Sequence, residues 1–165
     1  MSLGSSPVRL TLGALALAIS LLMLAPPVPA ARSASETSLT IRLISTVASL
    51  RAVDLPPKRA PNKGDVFYVR SVLRNGVAQF GHPKGAVVGT DFAVLRFLSA
   101  RMALLNVDVD LPGGTLRLRG KADAIRTTNV LPVVGGTGRF ANARGTSEVR
   151  DKKDRSINIY RLRLP

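Results

Sequence analysis

Hydrophobic and polar residues alternate along most of the chain after residue 37, which is the pattern of β-strands with one buried face. The alternation is clearest between residues 101 and 124, on both sides of the turn Pro112-Gly113-Gly114. It predicts a hairpin with one apolar face and one charged face. Other strands are expected over Ser38–Ala48, Asp65–Leu73, Ala86–Leu98, Val130–Val134, Ala143–Arg150 and Ser156–Leu164.

Turn signals separate these segments. Asn75-Gly76 predicts a tight hairpin turn, with Val77–Phe80 starting the return strand, because both turn residues tolerate a positive φ. The segment Arg51–Gly64 contains three prolines and four basic residues, which predicts an exposed loop. In the last strand the apolar phase changes between Ile159 and Tyr160, which indicates a bulge.

About eight strands and no helix are expected after residue 37, so the pattern predicts an all-β domain, either a closed barrel or a sandwich. The interior of an eight-stranded barrel is just wide enough to be filled by side chains or to hold one small ligand. Three of the inward candidates, Gly120, Ala122 and Ala124, are small. They leave two interpretations open, a ligand cavity or a tapering, packed interior.

The first 30 residues are organised like a secretory signal. Leu10–Leu24 is an uncharged apolar run of 15 residues, shorter than the roughly 20 that cross a bilayer. Small residues at Val28 and Ala30 suit a signal peptidase, so cleavage is expected between Ala30 and Ala31; the alternative is an uncleaved anchor. The sequence thus predicts a signal helix over 1–30, a leader over 31–37 and one domain over 38–165. The mature protein is expected to be secreted or periplasmic, without a membrane span.

Composition and charge add constraints on chemistry and partners. Cysteine is absent, which excludes disulfides and thiolate metal sites. The chain has 24 Lys and Arg against 10 Asp and Glu, and removal of residues 1–30, which contain one of the bases, leaves 23 against 10. Such a charge favours anionic partners such as acidic surface polymers, or simply keeps an exported protein soluble. The basic run Lys58–Lys63 and the turn Lys152-Lys153 are the candidate contacts.

Motifs for catalysis or cofactor binding are scarce. His82 is the only histidine, which excludes a multi-histidine metal site, and its place in a turn between Gly81 and Pro83 argues against a catalytic triad. The stretch GGTG at 135–138 matches neither common phosphate-binding spacing, and no helix is expected after it, so it indicates a structural turn. No metal and no cofactor are expected.

Charged and aromatic residues offer further candidate binding groups. Asp108 and Asp110 share a strand face, and an ion-pair ladder is expected there rather than a calcium site, because the partner strand carries Arg117, Arg119 and Lys121. Nucleic-acid binding favours exposed aromatic residues beside basic ones. Specific nucleic-acid binding is not expected here, because four phenylalanines are assigned to the core, namely Phe67, Phe92, Phe97 and Phe140.

A family resemblance is carried by the segment 111–145. The stretch LPGGTL at 111–116 is followed by Gly120, then by VVGGTGRF at 133–140 and ARG at 143–145. These residues resemble the allene oxide cyclase/dirigent superfamily, and most of all its small secreted bacterial members, over roughly residues 38–164. The matching residues are architectural, with Phe140 expected to plug one end of a barrel; they are Gly135, Gly136, Thr137, Gly138, Phe140, Arg144 and Gly145.

The resemblance implies an eight-stranded antiparallel barrel with an apolar lumen, often assembled as a dimer or trimer. Allene oxide cyclases use the lumen to fold a reactive epoxide without a cofactor, and dirigent proteins steer the coupling of phenoxy radicals. The implied function is binding of a small apolar ligand, with cofactor-independent cyclisation or dirigent-type guidance as the chemistry. The lumen residues expected to contact the ligand are Phe67, Leu105, Val107, Leu118 and Ala122.

Catalytic residues are left unassigned. Dirigent-type activity needs lumen aspartates, for which Asp65 and Asp91 are the candidates, each also suited to capping a turn. The cyclase needs a carboxylate near the first strands, and residues 40–44 supply none. Two other functions therefore stand beside the first: a non-catalytic basic envelope protein that binds anionic polymers, and an assembly module.

Export of the full-length protein tests the N-terminal assignment. N-terminal sequencing of the exported form is expected to find Ala31 as the first residue. The substitution Ala30→Leu places a large side chain at the position that the peptidase reads, so the precursor is expected to accumulate at its full mass. An exported protein that retains the run Leu10–Leu24 would contradict the assignment.

Overall fold

The computed structural model describes residues 36–57 and 61–165. A short 3-10 helix at Gly138–Phe140 is the only helix in these two ranges, and it is far too short to cross a membrane. The predicted signal helix and residues 31–35 of the predicted leader lie outside the described residues. Eight strands follow in chain order: β1 (Thr37–Val53), β2 (Val66–Asn75), β3 (Val87–Phe97), β4 (Met102–Leu111), β5 (Gly114–Asp123), β6 (Thr128–Gly136), β7 (Arg144–Asp151) and β8 (Ser156–Leu164).

The sheet closes on itself. Each strand pairs antiparallel with the next, and β8 pairs with β1. β1 is long because it closes the ring: Thr37–Ser45 pairs with β8, and Leu43–Val53 pairs with β2. The predicted all-β fold is confirmed, and of the two architectures left open by the sequence it is the closed eight-stranded antiparallel barrel.

A bulge in β1 reverses its alternation between inside and outside. The register with β2 shifts between Val47 and Ser49, which leaves Ala48 as the extra residue. Val47 faces the lumen, whereas Ser49 and Arg51 both lie on the outer surface. Since the strand then continues to Val53, the predicted loop starting at Arg51 begins later than the sequence indicated.

The connection between β2 and β3 is a longer loop than predicted. Asn75-Gly76 does not form a two-residue turn and Val77–Phe80 is not a strand, since β3 begins only at Val87. The buried Asn75 side chain holds the loop, because its Nδ2 donates to the carbonyl oxygens of Gln79 at 2.8 Å and His82 at 3.0 Å. These hydrogen bonds satisfy loop backbone that would otherwise need a strand partner.

The predicted bulge in β8 is wrong. The pairing of β8 with both β1 and β7 runs without a register shift. Asn158 and Tyr160 face the interior and are buried, whereas Ile157 and Ile159 lie on the outer surface and are half-buried. The change of phase in the sequence is therefore a polar residue on the lumen side of a regular strand.

One end of the barrel is packed solid. Phe140 is fully buried there, and burial of a side chain of this size contributes about 1.5–3 kcal/mol. The turn before it contacts the β4–β5 turn, since the backbone N–H of Arg139 donates to Gly113 O at 2.8 Å. The neighbours that share its apolar cluster include Leu43, Leu73, Leu111, Leu116, Ala143 and Leu162.

Gly138 is required where these two turns cross. Its φ of +57° lies in the left-handed region, and a Cβ on Gly138 would overlap the carbonyl oxygen of Gly113. Gly85 is a matched control, because its φ is also positive, at +84°, and no atom lies within 4 Å of the place its Cβ would occupy.

The substitution Gly85→Ala is expected to cost about 1 kcal/mol, the penalty of a left-handed backbone alone. Gly138→Ala adds a backbone clash and is expected to cost at least about 3 kcal/mol. The midpoint of urea unfolding, at an unchanged denaturant slope, measures both losses. Equal losses in the two variants would show that the turn contact at Gly138 is unimportant.

Candidate functional site

The lumen contains a cavity of about 470 Å³. All its lining residues from the strands lie toward one end of the barrel, opposite Phe140: the second half of β1, for example, and the first half of β2. The rim at this end is exposed and includes Ala124, Arg126 and Asp151. The cavity is therefore a cup whose floor rests on the packed end of the barrel.

All five residues predicted for the lumen line this cavity. Phe67 lies on β2, near the rim, where its ring is 5.0 Å from that of Phe97 between centroids. Small residues at Ala93 and Ala103 leave space beside them. The other four form an apolar wall on β4 and β5, namely Leu105, Val107, Leu118 and Ala122.

Opposite the apolar wall, polar side chains from five strands face the cavity. We call this group the polar shelf; it comprises Ser45 (β1), Ser71 (β2), Asp91 (β3), Ser147 (β7), and Asn158 and Tyr160 (β8). All six are buried, with relative exposures of 9% or less. The cup thus has two unlike sides, which suits a ligand that is apolar over most of its surface and polar at one point.

Asp91 is the carboxyl group of the shelf. It sits between two serines, and Ser45 Oγ donates to its Oδ2 at 3.2 Å. Burial raises the pKa of Asp91 above its ordinary value, and hydrogen bonds from Ser71 and Ser45 offset only part of that rise. A carboxyl with a raised pKa can exchange a proton nearer neutral pH than an exposed one.

Tyr160 is the second titratable group of the shelf. Its pKa is raised chiefly by complete burial and then by the negative charge of Asp91, while Ser147 and Asn158 act in the opposite direction. The phenol therefore stays protonated, and its O–H is available to donate a hydrogen bond.

Two shelf atoms have no hydrogen-bond partner among the described residues. They are Ser147 Oγ and Asn158 Oδ1, on residues that are 0% and 5% exposed. A buried polar atom without a partner costs about 1–3 kcal/mol. Both residues line the cavity, beside the place that a polar group of a guest would occupy.

The two candidate aspartates have different roles. Asp91 lies in the lumen, whereas Asp65 holds the loop before β2, where it accepts hydrogen bonds from the backbone N–H groups of Leu55 at 2.8 Å and Asn62 at 2.7 Å. These bonds lower the pKa of Asp65. Only Asp91 can meet a lumen ligand.

The motif that carries the family resemblance lies away from the cavity. Its glycines and Thr137 form the turn beside Phe140, where Thr137 N donates to Thr115 O at 2.8 Å. Arg144 reaches back across the outside to donate to Val134 O at 2.6 Å. Gly135, Gly136 and Gly145 also lie outside the lumen lining, so the motif shapes the closed end of the barrel.

The remaining sequence candidates also lie outside the cup. His82 is exposed in the loop after β2. Asp108 pairs with Arg117 at 3.7 Å, but Asp110 accepts from Thr115 Oγ1 at 2.7 Å, so the expected ion-pair ladder has one ionic rung. Within the described residues, no three His, Asp or Glu side chains gather as a metal site would require.

The shelf itself, apart from Asp91, was missed by sequence reasoning. Ser45, Ser147 and Asn158 each occupy an inward position in an otherwise apolar alternation, and that interruption is the signal that could have found them. The bulge predicted in β8 rests on the same kind of interruption, at Asn158. Strand phase alone does not distinguish a bulge from a polar residue that faces a cavity.

A family model for dirigent-like proteins matches residues 44–163. The chain belongs to this family. The match confirms the resemblance drawn from the segment 111–145. Searching curated proteins for relatives of this dirigent-like sequence finds no match.

Several solved structures resemble the dirigent-like barrel in fold. A Diels–Alderase from Streptomyces koyangensis is 22% identical over 81% of this chain and 71% of its own, with a TM-score of 0.64. Pyocyanin demethylase is 20% identical over 75% and 99%, with a TM-score of 0.62. A pterocarpan synthase dirigent protein is 18% identical over 81% and 87%, with a TM-score of 0.61. At these identities the similarity shows the fold alone.

Replacement of Asp91 by Asn tests the environment of the shelf. Because the folded-state pKa of Asp91 is raised, its contribution to stability is complete below the ordinary value of 3.8 and is lost as pH rises through the folded-state pKa. Asp91→Asn keeps a neutral group in place, so it should be more stable than the wild type at pH 8, and this advantage should shrink as pH falls toward 3.8.

Asp65→Asn is the control, with the opposite sign. The lowered pKa of Asp65 stabilises the fold at neutral pH, so this variant should be less stable than the wild type at pH 8, with a deficit that shrinks in acid. Urea unfolding across the pH range measures both. If both variants follow the same pH dependence, Asp91 does not occupy the environment described.

Proposed function

We propose that the protein binds one small, largely apolar molecule in the lumen and fixes it by a polar group held at the shelf. The observation that carries the proposal is the two-sided cup of about 470 Å³, in which an apolar wall faces six buried polar side chains. Small-molecule sites are typically about 300–1,000 Å³, mostly apolar, and equipped with a few convergent polar groups.

The order of residues along the strands sets the orientation of the guest. On β3, Phe97 and Leu95 lie toward the rim and Asp91 lies deeper; on β8, Ser156 lies at the rim and Tyr160 deeper. A ligand therefore enters with its polar group first and leaves its apolar body between Phe67 and the β4–β5 wall. This fit favours an alcohol, phenol or carbonyl over a carboxylate, because a second negative charge beside Asp91 would be repelled and desolvated.

The chemistry that suits this cup is guidance of a reaction by shape. A guest held at one polar point against a rigid wall keeps a limited set of conformations, and such restriction alone accelerates ring closure or selects one face for coupling. Asp91 would shuttle a proton and Tyr160 would donate a hydrogen bond to an oxygen that gains charge. The similar structures named a Diels–Alderase and a dirigent protein favour cyclisation or stereochemical guidance.

Binding of anionic polymers is the second candidate, favoured by the outer surface. Arg144 and Arg163 lie directly opposite each other on β7 and β8, a like-charge pair that an anion would stabilise. Of the candidate contacts from the sequence, Lys152-Lys153 forms an exposed turn, and residues 58–60 lie outside the described residues. Secretion and assembly as a dimer or trimer remain predictions from the sequence.

Fluorescence titration with 2-naphthol and naphthalene tests the lumen proposal. Ala122→Phe places a ring inside the cup and is expected to weaken binding of both probes at least tenfold. Val130→Phe adds the same ring on the exposed outer side of β6, so it should leave binding unchanged. Binding that survives Ala122→Phe undiminished would exclude the lumen as the site.

The polar shelf is tested by the difference between the two probes. In the wild type, 2-naphthol should bind more tightly than naphthalene, since its O–H can donate a hydrogen bond to the shelf, where Asn158 Oδ1 is an acceptor without a partner among the described residues. Asn158→Leu removes one acceptor, and a neutral hydrogen bond contributes about 1 kcal/mol, so the preference should fall about fivefold. Equal affinity for both probes in the wild type would contradict the shelf's role.

A further inference from the structure

A second concave site lies on the outside of the barrel wall, formed by β1, β2 and β3. Its volume is about 310 Å³, and its lining residues are Ser49, Arg51, Tyr68, Arg70 and Phe92. We call it the outer groove. Phe92, which the sequence analysis assigned to the core, faces outwards here and is half-buried. Because the groove opens on the opposite face of the wall from the lumen, a lumen ligand does not fill it.

The two arginines of the outer groove have no acidic partner. All ten Asp and Glu residues of the chain lie between Glu36 and Asp154, within the described ranges. None of them forms an ion pair with Arg51 or Arg70, and the carboxylate opposite Phe92, that of Asp108, is already paired with an arginine of β5. Two uncompensated cations beside one groove make it attractive to an anion.

Strand register brings these cations together. Arg51 lies opposite Tyr68, and Ser49 lies opposite Arg70, so the two arginines are diagonal neighbours on adjacent strands. Diagonal neighbours are about 7–8 Å apart at the backbone, within reach of long side chains. The bulge at Ala48 produces this arrangement, because without the extra residue Arg51 would face the lumen.

The other lining residues offer aromatic surface. The rings of Tyr68 and Phe92 are nearly parallel, with an interplanar angle of 15° and centroids 6.4 Å apart. The guanidinium of Arg70 lies 5.0 Å from the centroid of Phe92, which holds it against a ring. A guanidinium held in this way still offers its N–H edge to an anion and its free face to another planar group.

We propose that the outer groove binds a planar aromatic molecule that carries an anionic group. The anion lies between the guanidiniums of Arg51 and Arg70, and the ligand's ring stacks on the ring of Tyr68 and on the free face of the Arg70 guanidinium. A volume of about 310 Å³ matches the small end of small-molecule sites, which suits one aromatic acid better than an extended polymer. The neutral guest proposed for the lumen lacks the charge that this groove selects.

Calorimetric titration with 2-naphthoate tests the proposal in the Ala122→Phe variant, whose lumen is filled. The same titration in wild-type protein saturated with naphthalene replaces it if that variant does not fold. Binding to a single site is expected, and Arg51→Gln and Arg70→Gln should each weaken it about fivefold or more, as loss of a charged contact does. Phe92→Leu, which removes the ring that holds the Arg70 guanidinium in place, should weaken it about threefold.

Arg119→Gln is the matched control, because it removes the same charge from an exposed position on β5 and should change affinity less than twofold. The neutral analogue 2-naphthalenemethanol and the ring-free anion acetate should both fail to bind. An equal loss in Arg119→Gln would mean that net charge alone attracts the probe, and saturable binding of acetate would mean that the ring is not recognised. Either result overturns the proposal.

Light scattering tests the other possible occupant of the groove, which is a second copy of the chain. If the ligand proposal is correct, Phe92→Leu leaves the oligomeric state in solution unchanged and weakens the binding of 2-naphthoate. A different result would contradict the proposal: an oligomeric wild type, a monomeric Phe92→Leu variant, and no binding of 2-naphthoate by either. In that case the groove is an interface between copies of the chain.

Discussion

The pairing of β1 with β8 is the constraint on which the rest of the structure depends. It joins the first and last strands into a ladder with no free edge, so no strand can slip without breaking hydrogen bonds on both sides. Alternate side chains of each strand then point into the lumen, whatever their polarity. A polar residue at such a position is removed from water and must find its partner among the other inward residues or in a guest.

The polar shelf is the consequence of that commitment. Ser45, Ser71 and Asp91 occupy inward positions on three successive strands, so their side chains satisfy one another. On the neighbouring strands β7 and β8, Ser147 Oγ and Asn158 Oδ1 have no hydrogen-bond partner among the described residues, and both residues line the cavity. A barrel built only for stability would place apolar residues at these positions, since a half-satisfied polar network is less stable than a packed apolar one. The loss of stability from these unpaired polar groups is explained if a ligand completes the hydrogen-bond network.

The sequence predicted the barrel well because its signals are local and repeated. Alternation in the β4–β5 hairpin and the glycine turn near Phe140 are each encoded within a few residues, and the family motif lies in that same part of the chain. The errors have a common cause, which is that the partner of a residue lies far away in the chain. Asn75 binds loop carbonyls instead of making a turn, Phe92 faces outwards, and Asn158 faces a cavity. Periodicity gives the spacing of two faces but not which one is buried.

The outer groove lies on β1, β2 and β3, whose inner faces also line the lumen, and the alternation of side chains along these strands separates the chemistry of the two sites. Asp91 faces the lumen while its neighbour Phe92 faces the outer groove, and Ser71 and Arg70 are divided in the same way. The lumen side therefore presents an acid in a buried setting, which disfavours a second negative charge. The outer side presents arginines without acidic partners, which favours a negatively charged group. A single stretch of wall thus presents opposite polarity on its two faces, so the molecule proposed for one site does not suit the other.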